Sequence, residues 1–310
     1  MTSADKSSAK ECSIEAKNLH FSYPGIDGRP LPGLPPVLDG VSFALPPGSR
    51  CLLIGPNGAG KTTMLKILAG KHMVDGDSIR VLGRSPFHDT KLTSDGDLAY
   101  VGGAWERDVA FAGYRVPLQG DFPASQIIKG IHGVDPKRAE RLMEVMDVNP
   151  DWKMHLVSDG QRRRVQICVG LLKPFKVLLL DEVTVDLDVL GRADLMRFLT
   201  EECEQRGASI IYATHIFDGL EGWPTHMSFL AGGHLKVFEK VSAFPEVAEM
   251  RLLDLVIRWL REEKEVEEKQ RSLKSSKDKE APVEQPWNNG WAPGRLASSL
   301  AGSSNTVLRM

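Results

Sequence analysis

One nine-residue stretch constrains this chain more than any other: Gly55-Pro56-Asn57-Gly58-Ala59-Gly60-Lys61-Thr62-Thr63. It satisfies G-x-x-x-x-G-K-[ST] at every fixed position. Arg50 to Ile54 before it reads as a short buried strand, and Thr63 to Ala69 after it reads as a helix with Gly70 at its C-terminal cap. The glycines permit a loop whose backbone N–H groups point inward and can surround phosphate oxygens. The helix that follows presents the positive end of its dipole to the same anion. Gly55, Asn57, Gly58, Gly60, Lys61, Thr62 and Thr63 are therefore the candidate phosphate-binding residues. Lys61 can reach the β- and γ-phosphates, and the Thr62 hydroxyl can ligate Mg²⁺.

The rest of the chain supplies alternating strands and helices. Ser13 to Tyr23 and Val37 to Leu45 read as strands, the second closed by Pro46-Pro47-Gly48. Ser78 to Leu82 and Leu98 to Val101 are further short strands. From 104 to about 157 strand signals fade, so this region is expected to be a mainly helical insertion, with a helix over Asp135 to Met146 and Pro136 in its first turn. A second helix is expected over Ser158 to Leu172. Lys176 to Leu180 and Ala208 to Ala213 are buried-strand patterns, separated by an amphipathic helix from Arg192 to Arg206. Met227 to Leu230 and His234 to Phe238 close as a hairpin across Gly232-Gly233. This alternation argues for a parallel sheet flanked by helices. The expected division is a disordered 1–11, a domain over 12–240, a C-terminal helix over 241–270 and a low-complexity tail over 271–310.

Five further features carry chemistry. Asp181 ends an apolar strand, where phosphate-loop folds place a carboxylate opposite the loop, able to hold Mg²⁺ directly or through water. Glu182 follows at once and suits a residue that polarises an attacking water. His215 ends the next strand, near where a γ-phosphate would lie. Tyr23 ends the first strand, and its ring can stack on adenine. Finally, Ser158, Gly160 and Gln161 stand at an expected helix start and offer donors and a dipole to an anion.

Val157-Ser158-Asp159-Gly160-Gln161 resembles the L-S-G-G-Q signature of the ATP-binding-cassette (ABC) ATPases. The order of motifs over residues 13–240 is also similar to that family: aromatic, phosphate loop, helical insert, signature, Asp-Glu, a loop Val185-Asp186-Leu187-Asp188, then His215. The resemblance implies an α/β fold, an ABC-type phosphate-loop ATPase domain. Its parts are a parallel sheet core, N-terminal antiparallel strands and a helical signature subdomain at about 104–172, followed by a helical and disordered C-terminal tail. It implies ATP and Mg²⁺ as ligands and Glu182 and His215 as catalytic residues. In this family the signature contacts the nucleotide of a second cassette, so Ser158, Gly160 and Gln161 should face a partner's ATP, with Asp188 at the interface. One set of motifs implies pairing with another chain, most simply a homodimer.

Two departures narrow the resemblance. Asp159 stands where the family prefers Gly, and Arg162 to Arg164 are expected to offset its charge. Gly102-Gly103-Ala104-Trp105-Glu106 stands where a glutamine is expected that, in transporter cassettes, couples to the membrane domain. With Pro117 to Phe122 and the tail Trp287 to Trp291, this is similar to the soluble, non-intrinsic ABC proteins of the plant ABC transporter I family. These are similar to a fungal factor associated with the carbon-catabolite-repression/NOT deadenylase complex. The resemblance implies an ATP-driven dimerisation switch with a regulatory protein complex, deadenylase- or transcription-related, as partner. Two other readings stay open: an ATPase subunit that docks on a separate membrane transporter, and a weakly hydrolysing nucleotide-gated scaffold. Composition bears on the choice. Net charge is −2, so no general attraction to nucleic acid or membrane is expected. No apolar run approaches the ~20 residues that a bilayer span takes. The N-terminus shows no apolar signal core, and four scattered cysteines fit a reducing compartment, the cytoplasm or the nucleus.

Overall fold

A computed structural model describes residues 12–25, 29–30, 33–102, 108–111, 114–117, 122–245 and 250–278. In chain order the elements are β1 (Ile14–Phe21), β2 (Leu38–Leu45), β3 (Arg50–Ile54), α1 (Lys61–Leu68), β4 (Ile79–Val81), α2 (Lys91–Ser94) and β5 (Leu98–Val101). Then come β6 (Asp108–Phe111), β7 (Tyr114–Pro117), α3 (Ala124–Lys129), α4 (Pro136–Val145), α5 (Asp159–Leu171), β8 (Val177–Asp181) and α6 (Val189–Arg206). The last are β9 (Ser209–Ala213), β10 (His226–Ala231), β11 (His234–Lys240) and α7 (Leu252–Asp278).

Six strands form the central sheet, in the order β11-β10-β3-β9-β8-β5. All pair in parallel except β11, which closes one edge against β10 as an antiparallel hairpin. The near-continuous apolar runs of β3, β8 and β9 follow from this, because a central parallel strand is covered on both faces. Their period of two divides the core. Leu52, Ile54, Leu178, Leu180, Ile210 and Tyr212 belong to the cluster that includes α5 and α6. Cys51, Leu53, Val177, Leu179, Ile211 and Ala213 belong to the cluster that includes α1 and the antiparallel sheet β2-β1-β4. Cys51, Cys168 and Cys203 are buried, and burial pushes each thiol up to about 12, so these cysteines act as small apolar side chains.

Helix starts follow local capping chemistry. Asp135 caps α4 by accepting from the Lys137 N–H at 3.0 Å, with Pro136 as the first helical residue. Asp188 caps α6 by accepting from the Gly191 N–H at 2.8 Å, and Gly207, at φ +68°, ends that helix. Gly70 does the same one residue past the C-cap of α1. Its φ is +71°, its N–H donates to Ile67 O at 2.9 Å, and a Cβ there would lie 2.2 Å from Pro86 O. Gly70→Ala is therefore expected to destabilise the protein by about 2 kcal/mol or more. A lower urea midpoint at unchanged slope is the readout; an unmoved midpoint would mean the backbone at Pro86 yields freely.

The structure differs from the sequence expectation in two places. The region from 104 is not mainly helical at its start: β6 and β7 pair there as an antiparallel hairpin. The alternation of Val109 and Phe111, then Tyr114 and Val116, carries that signal, but each run is only four residues long. The C-terminal helix begins at Leu252, after a 3₁₀ turn at Val241–Ala243, and runs to Asp278 rather than spanning 241–270. The chain resolves into two units, Met1–Arg261 and Glu262–Met310. In the first, Leu252, Leu255 and Val256 of α7 are buried, and the Trp259 ring packs tilted against Phe229 and edge-on to Phe244. The second holds the charged end of α7. Among the described residues no helix is long and apolar enough to cross a membrane. The expectations for 1–11, Gly103 to Glu106 and the Trp287 to Trp291 tail lie outside the described residues.

Candidate functional site

The sheet order places three loops side by side. β9 lies between β3 and β8, and all three run parallel. Their C-terminal ends therefore carry the 55–63 loop, Thr214-His215 and Asp181-Glu182 on one edge, where open α/β sheets bind ligands.

The phosphate loop is shaped by close approach. A Cβ on Gly55 would lie 2.1 Å from Leu230 O, and one on Gly60 would meet Leu38 and Val37 O at 2.9 and 3.0 Å. Gly58 and Gly60 have φ of +81° and +102°, which only glycine adopts without strain. No side chain caps α1, whereas α4, α5 and α6 each have one. As at the short helices α2 and α3, no described side chain meets the first N–H groups of α1; following a phosphate loop, that is the condition of an anion site. Lys61 is buried, and its ammonium donates to Gly55 O at 2.7 Å and Pro56 O at 3.0 Å. Burial pulls its pKa down, and the nearby Glu182 and Asp181 carboxylates oppose that. Tyr23 reaches the same helix: its hydroxyl lies 2.9 Å from Thr63 Oγ1, and its ring stands edge-on to Phe21 and His72.

Across the edge, Thr62 Oγ1 donates to Asp181 Oδ1 at 3.2 Å. Tyr100 donates to Asp181 Oδ2, also at 3.2 Å. Burial raises the Asp181 pKa, the two hydroxyls lower it, and Glu182 raises it again. A divalent cation there would favour the charged carboxylate. The hydroxyl and carboxylate oxygens at Thr62 and Asp181 are the hard donors that suit Mg²⁺. Among the described residues no three His, Cys, Asp or Glu side chains form a metal cage. A cation held by one carboxylate together with phosphate oxygens needs none. Glu182 faces outward beside this pair, with Oε1 2.9 Å from His215 Nε2. Its backbone is left-handed, at φ +52°, a conformation that costs a non-glycine residue about 1–3 kcal/mol.

The remaining site candidates form a second group. Ser158 caps α5 in a reciprocal box: its Oγ accepts from the Gln161 N–H at 3.2 Å, and Gln161 Oε1 accepts from the Ser158 N–H at 3.0 Å. The box leaves the Ser158 hydroxyl hydrogen and the Gln161 amide hydrogens to donate outward. A Cβ on Gly160 would meet Asp186 O at 3.2 Å, which brings the signature against the 185–188 loop. Asp188 caps α6 through Oδ1 and takes Arg164 on Oδ2 at 2.9 Å. None of the described bonds joins this group to the phosphate loop. The expected offset of Asp159 comes from Arg162 alone, at 2.7 Å. Arg164 points at Asp188, and Arg163 turns inward.

Two residues beside the site escaped sequence reasoning. Tyr100 needs the β5–β8 pairing to reach Asp181. Arg163 is buried behind Glu182, and its position in step with Ile167 and Leu171 on α5 was the available signal.

Residues 38–185 match the family model described as ABC transporter. The chain is 52% identical to ABC transporter I family member 20 of Arabidopsis thaliana over the full length of both. It is 40% identical to CCR4-associated factor 16 of Saccharomyces cerevisiae, over 72% of this chain and 76% of that one. Its fold is that of a solved ATP-binding cassette, dimeric and bound to ADP and Pi, with TM-score 0.60 at 20% identity over 74% of this chain and all of that one. With the phosphate loop, the Asp-Glu strand end and the capped signature helix in place, the chain belongs to the ABC transporter family, in the company of its ABC transporter I members.

Proposed function

We propose that this cassette binds ATP with Mg²⁺, hydrolyses it, and uses ATP binding to close two copies of itself on each other. The observation that carries the reading is the convergence of Lys61, Thr62, Asp181, Glu182 and His215 on one sheet edge. Lys61 and the uncapped start of α1 bind the phosphates. Thr62 Oγ1 and Asp181 hold the ion, which when bound supplies charge neutralisation at the β- and γ-phosphates. Glu182 takes the proton of the attacking water on a carboxylate oxygen, and His215 Nε2 fixes that carboxylate's orientation from 2.9 Å. Tyr23, half-exposed beside α1, stacks on the adenine.

Surface chemistry supports pairing. Leu156, Val185, Val189 and Leu190 are all more than half exposed and flank Ser158 and Asp188 in sequence. Apolar side chains around outward donors suit a face that a second cassette covers. The solved cassette of the same fold is dimeric. The yeast relative's name, a CCR4-associated factor, supports a regulatory protein complex as the further partner.

Lys61→Ala tests the nucleotide site. Losing a charge-assisted contact to phosphate is expected to weaken Mg·ATP binding about 10–100-fold in a calorimetric titration. Binding at parental affinity would remove the phosphate-loop reading.

A further inference from the structure

Glu182 sits on a backbone that its own residue type disfavours, at φ +52°. Its N–H is held by Ala213 O at 2.9 Å. On the other side one side chain takes the neighbouring carbonyls. Arg163 of α5 donates from Nη2 to Glu182 O at 3.0 Å and from Nε to Val183 O at 3.2 Å. Its Nη1 donates to Gly102 O, past the end of β5, at 3.1 Å. Gln166, one turn further along α5, joins the cluster by donating to Gly102 O at 3.3 Å and accepting from Arg163.

The choice of residue is informative. Arg163 shares a helix stripe with Ile167 and Leu171, where an apolar side chain would pack without cost. Burying a guanidinium is unfavourable unless its donors are met. Here they are met by backbone carbonyls from the strand end that bears both site carboxylates and from the β5 end beside it. The planar fork suits this task, since it reaches carbonyls at fixed angles that an ammonium cannot span. Arg163 also lies only two residues beyond Gln161, on the helix that begins at the signature.

We propose that Arg163 is a positioning residue that holds Glu182 in its left-handed conformation and ties the aim of that carboxylate to helix α5. A contact made at Ser158 and Gln161 by a second cassette is thereby transmitted to the first cassette's own Glu182. The proposal rests on the reading of Glu182 as the catalytic carboxylate.

The test is a kinetic cycle of Arg163→Gln and Glu182→Gln, singly and together, in the full chain. Arg163→Gln is expected to lower kcat about 10–100-fold, the cost of a misaimed reacting group. The ATP dissociation constant should stay within about 3-fold of the parent, because no phosphate-binding group is touched. In the Glu182→Gln background, Arg163→Gln should add no loss beyond about 2-fold, since it acts through the group already removed. Parental kcat in Arg163→Gln, or losses that multiply in the double variant, overturn the proposal. Parental turnover in Glu182→Gln alone would instead remove the reading on which it rests. If Arg163→Gln does not fold, Arg163→Lys decides the matter: a lowered kcat at parental melting temperature supports positioning, and an unchanged kcat overturns it.

Discussion

Glu182→Gln is expected to lower steady-state ATP turnover about 10²–10⁴-fold, the range for loss of a general base, while ATP binding persists. The substitution is close to isosteric. The amide oxygen can still accept from His215 Nε2, which lies 2.9 Å from Oε1 in the parent, so the side chain keeps its position. What the amide cannot do is take a proton. Lys61, Thr62 and Asp181 are untouched, and one negative charge beside the triphosphate is gone, so affinity for ATP should hold or rise. Stability should change little, because the Glu182 side chain is partly exposed, at 38%, and the left-handed backbone is equally strained with either residue.

The same variant separates chemistry from assembly. With hydrolysis stopped, the ATP-bound pair has no exit by turnover, so dimer accumulates. Light scattering should give a doubled mass in Mg·ATP and the single mass after nucleotide is removed. Unchanged turnover would sink the catalytic assignment. A single mass in saturating ATP, with turnover lost, would keep the catalytic assignment and sink the pairing. Material co-purifying with the trapped form reports the further partner.

How much of this site was legible in the sequence depends on how local each contact is. The phosphate loop is contiguous, and its glycines, lysine and threonines carry their geometry with them. Asp181 and Glu182 are marked by the apolar run that they end, and Ser158 and Gln161 by a capping spacing of three. His215 becomes meaningful only once β9 is known to lie between β3 and β8, which the alternation of strands suggests but does not specify. Tyr100 and Arg163 were not legible as site residues. Their partners lie across strand pairings and across a helix-to-sheet contact that no periodicity reports. In Arg162-Arg163-Arg164 the charge run conceals three different environments: one arginine on Asp159, one buried under Glu182, one on Asp188. The β6–β7 hairpin was missed for a simpler reason, since four-residue strands are too short for alternation to stand out.

Arg138→Met is expected to destabilise the protein by about 3–5 kcal/mol, the cost of breaking a buried ion pair from one side. Arg138 of α4 grips Glu202 of α6 with both fork nitrogens, at 2.7 and 3.0 Å, while its Nε donates to Leu171 O at the end of α5. Its guanidinium also lies over the rings of Phe175 and Phe198, 5.9 and 5.3 Å from their centroids. Glu202 is 4% exposed, so the carboxylate cannot turn to water when the arginine goes. Arg206 stands 3.6 Å from Glu202 and is itself partly exposed, which should bring the loss toward the lower end of the range. At about 2–4 °C per kcal/mol for a domain of this size, the melting temperature should fall by at least about 6 °C. The double variant Arg138→Met with Glu202→Leu should recover much of the loss, because no unpaired charge then remains in the core. A single variant within about 1 kcal/mol of the parent in urea melts would show that Arg206 replaces Arg138 outright. The result matters beyond stability. Arg138 and Arg163 both bind α5 or its end to the elements around it, Arg138 at Leu171 and Arg163 at Glu182. Arg138→Met should therefore shift the melt and spare kcat at temperatures where the chain stays folded, whereas Arg163→Gln should lower kcat, so the pair divides the anchoring of the signature helix from its control of the carboxylate.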